Sequence, residues 1–364
     1  MLYALCTEGY SFFVQNCLSP RLALDSEAVF DLAAGSGVLG CGGGGRSENA
    51  TRVAALRLSA APARLVAVEA LQSAQVVCAI AEVGSPLIGA ERLPSEELVV
   101  CVRETERRLG RRIDALLPLE IGGQNAVAAA FAASLLDVPL IDGDAMGRAL
   151  PGVHQTSLSL GGLAVTPIVC ASPAGYTVTI DDASSPAEAE RVLRLALPAL
   201  GGRAATTSYP ATAGDYATRI VQRSVSLALA LGRALRTAAD ADEAVSALSV
   251  ARPDATVVFQ GGVERVERNS GRRTIIVRSR EREDAPRVLR IDADTEYVRA
   301  LSDGRIVAAR PDIIVILDRN RLQALPFDAV DTGQDVTVLR LPAPAIWYEP
   351  GGTTLLEDRT GAVA

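Results

Sequence analysis

The stretch Asp31–Ala50 reads DLAAGSGVLGCGGGGRSENA and places a cysteine directly before four consecutive glycines. Four glycines in a row cost backbone entropy on folding, so they are typical of backbone that takes left-handed angles or comes very close to another group. Upstream, Asp25 or Ser26 is predicted to cap a helix that runs to about Gly35. We therefore predict a small-molecule site with Cys41 at the mouth of this loop and the glycines as its floor.

The composition limits the class of protein. The chain has 364 residues, is 49% apolar and 22% charged, and carries a net charge of −7, which is typical of a soluble globular protein with two or three domains. An acidic chain lacks the basic surface that nucleic-acid binding requires, so we expect no nucleic-acid partner. No apolar run of about 18 residues and no signal-peptide pattern stands out, which predicts a cytoplasmic protein without a membrane partner.

The sequence lacks several catalytic side chains. All 36 basic residues are arginine, which excludes Schiff-base chemistry and a phosphate-loop lysine. His154 is the single histidine, so a zinc site with several histidines is excluded and any histidine triad must use this residue. The six cysteines form no CxxC pair, which favours free thiols in a reducing compartment. Cys6 and Cys17 are interpreted as buried thiols without a catalytic role.

Two strand–loop units follow the glycine loop. Leu116–Ala133 has the pattern of a short strand, a Gly-Gly turn and an alanine-rich helix that starts at Asn125, and Val138–Asp144 is a second buried strand. Ligands of open α/β sheets bind at the carboxyl ends of strands. The polar residues at these two ends are therefore expected to converge with the Cys41 loop; they are Glu120, Asn125, Asp142, Asp144 and Arg148.

The second half of the chain has a different pattern. Gly214–Thr237 has the periodicity of one long helix, and short strands separated by Gly-rich and Asp-rich turns follow after about Val250. We predict an α/β N-terminal domain plus a C-terminal α+β part ending in a β-rich module. The predicted bounds are an N-terminal extension over 1–26, the α/β domain over 27–170 and the C-terminal domain over 171–364, with helices to about 245 and the β-rich module over about 250–345.

Five motifs in order resemble one known family. They are Val38–Gly45 (VLGCGGGG), Leu119–Ala126 (LEIGGQNA), Asp142–Pro151 (DGDAMGRALP), Ser226–Leu235 (SLALALGRAL) and the strand RPDIIVILD over Arg310–Asp318. Together they resemble the S-methyl thiohydantoin desulfurase-like family, formerly a domain of unknown function associated with hydantoinase and oxoprolinase genes. The resemblance covers about Glu27 to Leu341. It implies a site in the N-terminal α/β domain and removal of sulfur from a thiohydantoin ring, which leaves a hydantoin.

The chain departs from the family pattern after the Gly-Arg pair. Relatives typically read Phe-Pro-Glu-Leu-Gln-Met-Thr where this chain has Leu150–Thr156, so Gly152 replaces a glutamate and His154 replaces a glutamine. If the glutamate is catalytic in relatives, this chain has lost or replaced it, and His154 is the candidate replacement.

Each candidate residue has a catalytic and a structural interpretation. Cys41 is a candidate nucleophile whose adduct the amides of Gly42, Gly43, Gly44 and Gly45 would stabilise, or a small residue that fits the loop. Glu120, Asp142 and Asp144 are candidates for activating water or for binding a divalent metal, or they cap helices and turns.

The remaining candidates bind or transfer protons. Asn125 and Arg148 are candidates to bind a ureide or a carboxylate, or they form a helix cap and a surface ion pair. His154 is a candidate acid or base near neutral pH, or a structural histidine. Whether the protein uses a cofactor or a metal is left open, with a divalent metal as one alternative.

These observations support two main hypotheses. The first is a hydrolase or desulfurase that acts on a small-molecule cyclic ureide or thio-ureide by thiolate-assisted or metal-assisted addition–elimination. The alternative is a non-catalytic ligand-binding or partner subunit of a hydantoinase-like complex, which the missing glutamate at position 152 favours. The scattered cysteines give a redox-sensing thiol protein little support. The alanine-rich helices would suit a homo-oligomer, and they would equally suit a large core.

Overall fold

The computed structural model describes residues 22–269, 271–280 and 287–357. The predictions for Cys6, Cys17 and most of the N-terminal extension therefore lie outside the described residues. Within the described ranges, no helix is long and apolar enough to cross a membrane.

The first sheet has eight strands in the order β1-β2-β5-β4-β3-β9-β7-β8. Its strands are β1 Leu22–Leu24, β2 Ala63–Val66, β3 Val76–Gly84, β4 Ala115–Pro118, β5 Leu140–Ile141, β7 Ile168–Ala171, β8 Thr177–Ile180 and β9 Arg203–Thr212. The inner strands β2, β5, β4 and β3 are parallel, whereas β1 on one side and β9, β7 and β8 on the other pair antiparallel. The predicted α/β fold is thus built on a mixed sheet, but the sheet extends beyond the predicted bounds 27–170, because β1, β8 and β9 lie outside them.

Helices flank this sheet, and some of them, such as Ala28–Leu39, lie against strands of the second sheet. Their bounds are Ala28–Leu39, Glu48–Ala60, Pro86–Ala90, Glu97–Leu109, Asn125–Leu136, Ser157–Leu160, Pro186–Ala196, Ala213–Tyr216, Ser224–Thr237 and Ala241–Ala251. Asn125–Leu136 starts where the sequence predicted and is buried along almost its whole length, which explains its alanines: small side chains let neighbouring helices approach.

The second sheet is entirely antiparallel and has the order β15-β14-β13-β12-β11-β18-β16-β17. Its strands are β11 Thr256–Asn269, β12 Arg272–Arg278, β13 Val288–Ala293, β14 Tyr297–Ser302, β15 Arg305–Ala309, β16 Ile313–Asp318, β17 Gln323–Ala324 and β18 Asp335–Leu341. Asp303 and Gly304, both with positive φ, form the two-residue turn between β14 and β15, as the sequence predicted. The β-rich module is therefore confirmed.

Two predicted elements differ from the structure. The long helix over 214–237 is divided into Ala213–Tyr216 and Ser224–Thr237, because residues between them form strand β10 (Val221–Gln222), which pairs with β6 (Gly143–Asp144). The second is Ala81–Gly89, whose sequence AEVGSPLIG predicts a turn-rich loop that could line a cleft. The structure instead has the end of β3 here, since Glu82 and Gly84 pair with Ala205 and Arg203 of β9, followed by the helix Pro86–Ala90.

Candidate functional site

A cleft of about 860 Å³ opens between the carboxyl ends of β3 and β4 and the turns of the second sheet. Its charged and amide-bearing wall residues come from both halves of the chain; they are Glu82, Glu120, Gln124, Asn125, Arg194, Arg203, Arg268, Asn269, Arg272, Arg273, Asp294, Glu296 and Asp328. Its position agrees with the expectation that ligands bind where parallel strands end.

Glu120 is the best-placed acid–base group in this cleft. It follows β4 by two residues, is only 7% exposed, and accepts hydrogen bonds from the side-chain amide of Asn125 and from the Leu150 N–H at 3.1 Å. Burial raises the pKa of its carboxyl to about 8; the two hydrogen bonds oppose this rise, and the charges of Asp144 and Glu296 add to it. A carboxyl group with this pKa can both take and give a proton near neutral pH.

Asn125 positions Glu120. Its Oδ1 accepts the backbone N–H of Glu82 at 2.7 Å, while its Nδ2 donates to Glu120. Both ends of the amide are therefore used within the protein. The structure thus places Asn125 as a positioning residue at the first turn of its helix, and its role as a substrate-binding group stays a prediction.

The glycine loop does form part of the cleft wall. Gly43, Gly44 and Gly45 line it, and Gly44 has φ +77°. A side chain at Gly44 would lie 2.5 Å from the carbonyl oxygen of Gly122, so the loop packs directly on the Gly122–Gly123 turn. This close approach is what the glycine run makes feasible. Gly42 does not line the cleft but lies against the ring of Tyr297.

Cys41 lies behind the loop, not at its mouth. The thiol is fully buried, contacts the carbonyl oxygen of Tyr297 at 3.4 Å and accepts the N–H of Ile314 at 3.2 Å. Burial raises the pKa of the thiol to about 11, and neighbouring Arg148 lowers it only in part. The structure therefore does not place a low-pKa thiolate at the site. Cys41 instead joins the glycine loop to the second sheet.

Asp142 and Asp144 are also turned away from the cleft. Asp142 accepts the N–H and hydroxyl of Ser226 at 2.8 and 2.6 Å, and so caps the helix Ser224–Thr237. Asp144 Oδ2 accepts N–H bonds from Ile121, Met146 and Gly147, and burial raises its pKa to about 6. Both carboxylates hold turns and helix ends, as the structural interpretation expected.

Arg148 connects the two sheets. It is fully buried, pairs with Glu296 and donates to the carbonyl oxygens of Pro311 and Asp312. The guanidinium therefore binds residues in the turns of the second sheet. Arg148 does form an ion pair, as the structural interpretation predicted, but this pair is buried and does not lie at the surface.

His154 lies one layer behind the cleft wall. Its ring is fully buried, with Nδ1 4.0 Å from Glu190, a carboxylate that also accepts the Val153 N–H at 2.8 Å. Gly152 does line the cleft, and a side chain there would lie 2.6 Å from His154 Cε1. The histidine ring thus occupies the space next to position 152, where the resemblance predicts a glutamate.

Sequence reasoning missed Glu82, Arg203 and Glu296. Glu82 and Arg203 form a buried ion pair at 2.6 Å on paired strands, and Glu296 lies in the turn between β13 and β14. The antiparallel pairing of β3 with β9 joins positions more than 100 residues apart, which no local pattern reveals. Within the described ranges, no group of three or more His, Cys, Asp or Glu side chains is placed to hold a metal ion.

Comparisons with known proteins agree with this architecture. The family model described as S-Me-THD-like, N-terminal domain, matches residues 27–182, and the S-Me-THD-like, C-terminal domain, matches residues 184–360. A crystal structure of a protein from Chromobacterium violaceum has the same fold, with a TM-score of 0.77 and 21% identity over 93% of this chain and 96% of that one. A search of proteins with curated descriptions finds no match.

Proposed function

The chain belongs to the S-Me-THD-like family, and on this basis we propose that its cleft hydrolyses an S-methyl thiohydantoin or a related cyclic thio-ureide. The observation that carries the proposal is Glu120, a buried carboxyl group in the cleft wall with a pKa of about 8. Hydrolysis at the ring carbon between the two nitrogens requires a group that moves one proton twice near neutral pH.

The proposed reaction is addition of water followed by loss of the thiol. Ionised Glu120 removes one proton as the water oxygen bonds to the ring carbon and the carbon–nitrogen double bond opens. The carbon–sulfur bond then breaks, Glu120 returns its proton to the sulfur, and methanethiol leaves. The second water proton reaches the ring nitrogen as the new carbonyl forms, so hydantoin and methanethiol account for all atoms.

Cys41 is not suited to act as the nucleophile of this reaction. A nucleophilic cysteine must be accessible and partly ionised, whereas this thiol is enclosed and its pKa is raised to about 11. We therefore propose direct attack by water on the ring, without a covalent adduct of the enzyme.

A ligand-binding subunit without turnover is the second candidate. Gly152 favours it, because this cleft residue leaves the wall without the glutamate that the family pattern predicts. In that case the cleft would bind the ring and release it unchanged.

Incubation with 2-methylthio-imidazol-4-one in ¹⁸O-labelled water tests the proposal. We expect the products to be methanethiol and hydantoin, with one ¹⁸O atom in the carbonyl group between the two ring nitrogens. Glu120→Gln is expected to lower kcat by roughly 10²–10⁴-fold, the usual contribution of a general acid–base group. The matched control Glu91→Gln changes an exposed carboxylate and is expected to keep wild-type activity. Ring binding without release of methanethiol would instead support the second candidate.

A further inference from the structure

Glu82 is a second carboxylate of the cleft wall, and the mechanism above does not use it. It lies near the end of β3, and its side chain is 6% exposed. Its Oε2 makes an ion pair with Arg203 Nη2 at 2.6 Å and accepts a hydrogen bond from Gln124 Nε2. Among the hydrogen bonds of the described residues, none is donated to Oε1.

The partners of Glu82 fix its orientation. Arg203 lies directly over the backbone of Gly89, where an added Cβ would be 1.4 Å from its Nη1, so the guanidinium has little room to move. Gln124 is the residue directly before the helix Asn125–Leu136 and is itself buried. A carboxylate held in this way by one oxygen presents the other as a hydrogen-bond acceptor.

Glu82 and Glu120 are joined through one residue. The backbone N–H of Glu82 donates to Asn125 Oδ1, and Asn125 Nδ2 donates to the Glu120 carboxyl. Asn125 therefore ties the backbone of Glu82 to the carboxyl group of Glu120, and both residues line the same cleft.

We infer that Glu82 Oε1 accepts a hydrogen bond from a ring N–H of the bound cyclic ureide, an inference that rests on the proposed function. An ionised carboxylate only accepts hydrogen bonds, so it selects rings that carry a free N–H and rejects rings whose nitrogens are alkylated. A ring without this N–H would bury the Glu82 carboxylate without a hydrogen-bond partner. Because an unpaired buried charge is costly, the selection is strong. Glu82 is thus a specificity-determining residue, distinct from the proton-transferring Glu120.

Calorimetric titration with hydantoin and its two N-methyl derivatives tests the inference. We expect wild-type protein to bind hydantoin and to bind at least one N-methyl derivative roughly 10- to 100-fold more weakly, the range for a hydrogen bond to a charged group. Glu82→Gln is expected to bind hydantoin more weakly by a similar factor and to lose most of the discrimination. The matched control Glu96→Gln, an exposed position, is expected to behave like wild type.

The outcomes separate this inference from the proposed function. Equal binding of hydantoin and both N-methyl derivatives by wild type, no binding of hydantoin, or unchanged discrimination in folded Glu82→Gln would overturn it. The wild-type comparison needs no variant, so it stands even if Glu82→Gln unfolds. Selective binding without methanethiol release would leave the inference in place and remove the hydrolase proposal, whereas turnover with no N–H dependence would do the reverse.

Discussion

At the scale of single residues, Glu120 makes a prediction about stability as well as chemistry. Its folded pKa of about 8 lies above the ordinary value of 4.5, so between these pH values the folded protein keeps a proton that the unfolded chain loses. The contribution of Glu120 to stability is therefore full below about pH 4.5 and is lost as the pH rises to about 8. Urea denaturation should show the free energy of unfolding of wild type falling relative to Glu120→Gln across this window. A constant difference would contradict the raised pKa.

Gly152 and His154 make a second prediction. Gly152→Ala places a methyl group 2.6 Å from the enclosed ring of His154, so it should destabilise the protein by roughly 1–3 kcal/mol, as overpacking does. His154→Gln supplies a more flexible side chain, and the double variant should recover most of that loss. A double-mutant cycle from urea denaturation measures the coupling. Additive effects would mean that the two positions do not compete for the same space.

Among the site residues, the sequence located the glycine loop and the segment after β4. Glu120, Asn125 and three of the four glycines line the cleft, and short local patterns identify these positions. The burial of Cys41 depends on Tyr297 and Ile314, which lie more than 250 positions further along the chain. Local sequence patterns therefore could not predict the surroundings of the Cys41 thiol or of Arg148, because both depend on residues distant in the chain.

At the scale of elements, a close helix contact carries the third prediction. Added Cβ atoms at Gly35 and Gly232 would lie 1.7 Å from the backbone oxygens of Ala228 and Asp31. The helices Ala28–Leu39 and Ser224–Thr237 thus touch backbone to backbone, and Gly35→Ala should cost several kcal/mol or prevent folding.

Gly37→Ala is the matched control for this helix contact. It lies on the same helix as Gly35, but its added Cβ would meet only Ala324 Cβ at an ordinary 3.8 Å. Because alanine favours a helix over glycine by about 1 kcal/mol, thermal unfolding of Gly37→Ala should occur at or above the wild-type temperature. If both alanine variants behaved alike, the contact would not have the importance assigned to it.

Most elements could be predicted because their patterns are local. The alanine-rich helix from Asn125 and the turn at Asp303-Gly304 were identified from short stretches. The helix predicted over 214–237 failed for a tertiary reason, since pairing of Val221–Gln222 with Gly143–Asp144 removes those residues from the helix. An amphipathic pattern does not reveal a strand partner that lies 77 to 79 positions earlier in the chain.

At the scale of the whole molecule, Arg148 connects the two sheets. Arg148→Ala would remove a fully buried guanidinium from Glu296 and from two carbonyl oxygens, so it should lower the free energy of unfolding by roughly 3–5 kcal/mol. Arg233→Ala removes an arginine whose side chain is 70% exposed and should cost under about 1 kcal/mol. Equal losses in urea denaturation would argue against a connecting role for Arg148.

The central claim is that water activated by Glu120, and not the Cys41 thiolate, attacks the ring. The most direct test compares kcat/KM for 2-methylthio-imidazol-4-one in folded Glu120→Gln and Cys41→Ala proteins. We expect the first to lose roughly 10²–10⁴-fold and the second to stay close to wild type, although with lower stability. In wild type, kcat/KM should also rise with pH towards about 8 as Glu120 ionises. Abolished turnover in folded Cys41→Ala, with activity kept in Glu120→Gln, would contradict the account.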